Sequence, residues 1–201
     1  GYFDESRGWL WACTCPDCQE KYRARYGSDL PLKENWKDKN FQRFVNWRFE
    51  QTRDFLKTAR SAVRKGNPKA AFIVEHWNCV SDAVEYGLDP EMLAAVSDVR
   101  AHEWTNVNGS TSDYHSYSWL EDMVRYLYYR AVDGKQPTWL LGYADAKDSN
   151  ASQSLAALQL TAGLNFWETD APDMAGSVDI NTRTQIFEWI TRNRSLYYKN
   201  K

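Results

Sequence analysis

Ala70-Ala71-Phe72-Ile73-Val74-Glu75-His76-Trp77-Asn78 is the stretch from which the fold is read. Ala70–Val74 is a short apolar run with branched side chains, the composition of a buried parallel strand, and its polar groups come at its C-terminal end. The pattern returns in Asp98-Val99-Arg100-Ala101-His102-Glu103-Trp104, a second strand that closes on His, Glu and Trp. Pro137-Thr138-Trp139-Leu140-Leu141-Gly142-Tyr143 reads as a third strand leading to Asp145, and Gly163-Leu164-Asn165-Phe166-Trp167-Glu168 as a fourth that ends in an acid.

Helical patterns flank these runs. From Lys37 to Lys65, Phe41, Phe44, Val45, Phe55, Leu56, Ala59, Ala62 and Val63 recur at helical spacing until Gly66-Asn67-Pro68 stops the helix. Pro90–Val96 predicts a short helix, Trp119–Val132 an amphipathic one, Ser152–Ala162 another and Asn181–Tyr197 a closing one. Residues 6–36 carry loop chemistry around one short helix near Gln19–Tyr26. Tyr2-Phe3 running into Asp4-Glu5 reads as the end of a strand begun earlier. Strand alternating with helix predicts parallel strands with helices packed outside, and strands that end in polar groups predict a barrel working at its C-terminal face. A doubly wound sheet normally has a glycine-rich phosphate turn after its first strand, and none is present here. The fold class expected is therefore α/β, a partial (β/α)8 TIM barrel.

Composition narrows the function. The 201 residues carry a formal charge of −2 with no block of like charges, which disfavours nucleic acid and anionic membrane surfaces as partners. No apolar run approaches the roughly 18 residues of a membrane span, and no targeting signal or compartment is indicated. Aromatic residues make 15% of the chain, with 10 Trp and 12 Tyr, and such side chains stack on the apolar faces of sugars while offering N–H and O–H groups. Carbohydrate is the expected partner.

Acidic residues at strand ends suit glycoside hydrolysis, which needs two carboxyl groups across the scissile bond. Glu103 is the candidate general acid/base, because His102 and Trp104 beside it would desolvate the carboxyl and raise its pKa. Glu75 and Glu168 are placed at strand ends in the same way and otherwise bind substrate hydroxyls, as do His76, Asn78 and His102. Trp77, Trp104 and Trp167 are the candidate stacking platforms, or else pack in the core. Cys13, Cys15 and Cys18 have the spacing of metal ligands, suggesting a structural zinc whose fourth ligand is Cys79 or a cysteine outside this sequence, or else the three are reduced thiols in a loop; catalysis itself requires no cofactor. Three N-x-[ST] triplets, at Asn108, Asn150 and Asn193, carry no inference.

Tyr2-Phe3-Asp4-Glu5, Cys13-Thr14-Cys15-Pro16-Asp17-Cys18, Tyr26-Gly27-Ser28-Asp29-Leu30-Pro31, the Arg-rich helix and Asn67-Pro68 before a strand resemble the hypothetical glycosyl hydrolases related to α-L-fucosidases. The resemblance is strongest over residues 2–78. It implies that residues 1–201 are the C-terminal half of a catalytic domain, from about the end of strand 4 to helix 8, completed by a missing N-terminal half or a second chain. It also implies that Asp4 is the nucleophile. A similar cysteine cluster occurs in β-galactosidase-like barrels, where it holds a structural zinc. The function implied is hydrolysis of a terminal sugar by a two-carboxylate, retaining mechanism; the alternative is a noncatalytic carbohydrate-binding or scaffold fragment.

Overall fold

The computed structural model describes residues 2–4, 8–10, 13–77, 84, 86–103, 116–142, 149–168 and 180–198. The chain forms two compact units, one of Gly1–Ala70 with Cys79–Val96 and one of Ala71–Asn78 with Ser97–Lys201.

The first unit opens with strands β1 (Tyr2–Asp4) and β2 (Gly8–Leu10), which pair antiparallel with Tyr2 opposite Leu10 and Asp4 opposite Gly8. Helix α1 (Pro16–Tyr26) starts on a proline, whose missing N–H costs nothing in the first turn. It ends at Gly27, held at φ 67 with its N–H donating to Arg23 O at 2.8 Å. Helix α2 (Lys39–Gly66) is capped by Asp38, which accepts the Asn40 N–H at 2.8 Å. The core lies between these helices: Tyr22 is fully buried, with its ring 5.4 Å from Trp47 and 6.0 Å from Phe44, both edge-on. Its hydroxyl donates to Asn40 Oδ1 at 2.9 Å, so the phenol is buried without losing its hydrogen bond. Phe41, Val45, Phe49 and Leu30 complete this cluster. Helix α3 (Pro90–Ala94) is capped by Asp89 through the Met92 N–H at 2.8 Å.

The second unit is built on β3 (Ile73–Trp77), β4 (Val99–Glu103), β5 (Thr138–Gly142) and β6 (Asn165–Glu168), all parallel and in chain order across a 4-stranded sheet. Helices α4 (Ser116–Asp133), α5 (Ser149–Thr161), α6 (Ile180–Arg192) and α7 (Arg194–Tyr198) belong to the same unit. Tyr126 and Tyr129 of α4 and Leu155, Ala156 and Leu160 of α5 are buried with Val74 and Leu140. Side chains tie the strand starts together: the Val74 N–H donates to Ser97 Oγ at 2.9 Å, and Gln136 Nε2 donates to Ser97 O at 2.7 Å.

The structure corrects the expected fold class. The strands alternate with helices as predicted, but among the described residues they form an open sheet of four with two edges, β3 and β6, and not a partial (β/α)8 TIM barrel. The reason lies at β1. The backbone groups of Tyr2–Asp4 pair with Gly8–Leu10 in a separate two-stranded sheet, so this segment is an antiparallel hairpin arm and does not extend the parallel sheet. The helices match the expected ones to within a few residues, except that the closing helix is divided between α6 and α7.

Two leucines test where the core of the second unit lies. Leu140 is 0% exposed and Leu120 60% exposed. Leu140→Ala is expected to cost about 2–5 kcal/mol by lost burial and a residual cavity, whereas Leu120→Ala stays within about 0.5 kcal/mol; urea unfolding midpoints measure both.

Candidate functional site

Side chains alternate between the two faces of a strand, so the parallel register sorts the polar residues of β3 and β4 into two sets. Glu75 lies beside Ala101 and Trp77 beside Glu103, which places Glu75 and Glu103 on one face, two residues out of step on adjacent strands. Val74, His76, Arg100 and His102 occupy the other face. Trp139 and Leu141 of β5 and Asn165 of β6 share the parity of the glutamates, as do the register positions of Trp77 and Trp167.

The glutamate face is the wetter one. Ile73 and Glu75 are exposed and Glu103, Trp139 and Asn165 half-buried, while Ala101 and Leu141 are buried between them. Burial of part of the carboxyl, reinforced by the negative charge of Glu103, raises the pKa of Glu75 above its ordinary 4.5. A strand spacing of about 4.8 Å and a two-residue rise of about 6.6 Å set the two Cα atoms roughly 8 Å apart.

The opposite face holds a buried polar chain. Arg100, 0% exposed, donates to His76 Nε2, and because a guanidinium has no acceptor, that nitrogen of His76 carries no proton. The His76 ring meets the edge of the His102 ring at 4.8 Å, and His102 lies flat against Tyr129 of α4 at 4.4 Å. His102 Nε2 donates to Asp133 Oδ2 at 2.8 Å. Burial lowers the pKa of His102 below 6.5, with the Arg100 charge adding to it and the Asp133 hydrogen bond opposing it. The Asp133 hydrogen bond fixes the orientation of the His102 ring.

In the first unit, the sulfurs of Cys13, Cys15 and Cys18 lie within 4.8 Å of one another. They are close enough to hold a metal ion. Cys15 is the N-cap of α1 and Cys18 lies one turn into it, while the Cys15 N–H donates to Cys13 Sγ at 3.4 Å. Cys13 and Cys15 are exposed and Cys18 half-buried. The nearby Cys18 N–H, with the Cys13 and Cys18 thiols, lowers the pKa of Cys15, whereas burial and the two neighbouring thiols push Cys18 up to about 12.

The expected site residues thus divide. Glu75 and Glu103 come together; His76 and His102 lie beneath the sheet with Arg100 and Asp133. The backbone of Glu168 ends β6 beside Gly142, while Asp4 belongs to the hairpin of the first unit. Asn78, Cys79 and Trp104 lie outside the described residues. Arg100, Tyr129 and Asp133 escaped the sequence reading, although an arginine between Val99 and Ala101 in a buried strand was a visible signal. Comparison with known proteins finds no matching family model, no matching curated protein and no matching solved structure.

Two pH effects on stability follow. Because His102 titrates below 6.5 in the folded chain, the unfolded chain takes up that proton first. Its stabilising contribution is present above pH 6.5 and is lost as pH falls toward the folded value. The Tm is expected to drop over that window and, in Asp133→Asn, to go on dropping to lower pH. Glu75 has the opposite sign: its contribution is full below 4.5 and is lost as pH rises through the raised folded value. Glu75→Gln is expected to melt above wild type at pH 7, with the difference closing below pH 4.5; calorimetry across pH checks both.

Proposed function

We propose that the chain is a glycoside hydrolase that acts on a terminal sugar by a two-carboxylate mechanism, with Glu75 as the proton donor and Glu103 as the second carboxyl group. The observation that carries this reading is the pair itself, two glutamates on one face of adjacent parallel strands, Glu103 at the C-terminal end of β4 and Glu75 two residues before the end of β3, with the Glu75 pKa raised by burial and by the charge of Glu103. Glycosidic bond cleavage needs that asymmetry, an acid to protonate the leaving oxygen and a carboxylate to attack or to activate water. Half-buried Trp139 on the same face supplies an aromatic surface next to the pair, as sugar binding requires. The resemblance to α-L-fucosidase-related hydrolases supports the same reaction class. The nucleophile it implies, Asp4, belongs to the other compact unit, so the pair assigned here is the one that shares a sheet.

A structural zinc at Cys13, Cys15 and Cys18 belongs to this reading. Tetrahedral zinc at about 2.3 Å from each sulfur sets thiolates roughly 3.8 Å apart, a spacing that the cluster reaches by small side-chain rotations from sulfurs within 4.8 Å of one another. A structural zinc would take its fourth ligand from a further protein donor.

With a panel of aryl glycosides, Glu75→Gln and Glu103→Gln are each expected to lower kcat/KM by about 10²–10⁴-fold, and the alkaline limb of the pH profile is expected to disappear in Glu75→Gln. Asp4→Asn keeps its rate under this assignment; turnover lost in Asp4→Asn and kept in Glu75→Gln would give the role to Asp4. Sugar binding without turnover in the wild type would make the chain a binding module. Cobalt(II) added to the reduced chain is expected to give thiolate charge-transfer absorption that Cys15→Ser abolishes.

A further inference from the structure

Three sulfurs placed around one helix start have a chemistry of their own, separate from the glutamate pair. Cys15-Pro16-Asp17-Cys18 is a C-x-x-C sequence whose first cysteine is the N-cap of α1 and whose second lies at the third helical position. An N-cap side chain folds back over the first turn toward that position, the direction that gives serine or aspartate its capping bond. A disulfide needs its Cβ atoms about 3.5–4.5 Å apart, closer than the about 5–6 Å of side chains three apart within a helix, and the extended backbone of the Cys15 N-cap, φ −62 and ψ 160, lets its side chain swing over the first turn to meet Cys18. The pair can therefore close without unwinding the helix. The sulfurs already lie within 4.8 Å of one another, and Cys15 is exposed to an incoming reagent while Cys18 is shielded beside the core residues. Cys13 is also within reach, but a C-x-C bridge closes a smaller, more strained ring, and its sulfur already accepts the Cys15 backbone N–H.

We propose that Cys15 and Cys18 form a redox-active dithiol that exchanges with low-molecular-weight disulfides. Cys15 sulfur attacks one sulfur of the disulfide RSSR, forming a mixed disulfide and releasing RSH. Cys18 sulfur then attacks Cys15 sulfur, the second RSH leaves, and the Cys15–Cys18 bond remains. Two protein thiols are oxidised, one small disulfide is reduced to two thiols, and the two thiol protons end on the two RSH molecules. Cys15 is the entry point because it is exposed, and Cys18 resolves because it lies behind it. The oxidised pair has no thiolate to offer a metal, so disulfide and metal are alternative occupants of one cluster.

The whole chain, reduced and freed of metal with a chelator, is treated with glutathione disulfide, quenched with an alkylating agent and analysed by intact mass and peptide mapping. The expected wild-type product is one internal disulfide, reversed by dithiothreitol, with a glutathione adduct at least about tenfold below that of Cys18→Ser, because the neighbouring thiol acts as an intramolecular reagent. Cys13→Ser is expected to close as wild type does. Cys18→Ser is expected to trap glutathione on Cys15, and Cys15→Ser to leave Cys18 unmodified. These exchanges conserve side-chain size, and circular dichroism checks the fold of each. Independent adducts on all three cysteines in the wild type, or loss of the internal bond in Cys13→Ser, would overturn the proposal. The glutamate pair plays no part in this readout, so either result leaves the hydrolase reading to its own test.

Discussion

The two-residue period of β3 and β4, locked by their parallel register, is the constraint on which the second unit depends. It sends Glu75 and Glu103 to the wetter face and Arg100, His76 and His102 to the buried one. A slip of β4 by one residue would bury the Glu103 carboxyl and draw His102 away from Asp133. Neither exchange is cheap, because a buried charge without its partner costs several kcal/mol, roughly 3–5 when one member of a pair is removed. The polar chain Arg100, His76, His102, Asp133 therefore holds the register that presents the glutamates on the opposite face.

Much of the local structure was legible in the sequence. The strands around Ile73, Val99, Thr138 and Asn165 and the helices between them follow from apolar runs, helical spacing and breakers such as Gly66-Asn67-Pro68. Face assignment was harder to read. His76 and His102 end apolar runs and sit next to glutamates, which made them look like ligand-binding groups, but adjacency along a strand means opposite faces. The closure of the sheet was not legible either. Tyr2-Phe3-Asp4 has the composition of a strand, and only its pairing with Gly8–Leu10 reveals an antiparallel arm.

The two candidate sites differ in what prepares them. At the sheet, partial loss of water and then a second carboxylate raise the Glu75 pKa, so the shift depends on the pairing of strands distant in sequence. At α1, the helix start and the two residues before its cap bring three thiols together, and Pro16 and the N-cap position of Cys15 set that start from local sequence alone. The first site requires the sheet to be assembled, whereas the second needs little beyond its own helix and the core that shields Cys18.

The order of strands across the sheet bears on how the unit is made. Each new strand docks beside the one completed just before it, β4 on β3, β5 on β4 and β6 on β5. No strand waits for a partner farther along the chain, and each closure spans a single crossover, which keeps contact order and loop-closure entropy low for a parallel sheet. The sheet can grow from one edge in the direction of synthesis, with Glu75 and Glu103 facing each other as soon as the second strand is in place.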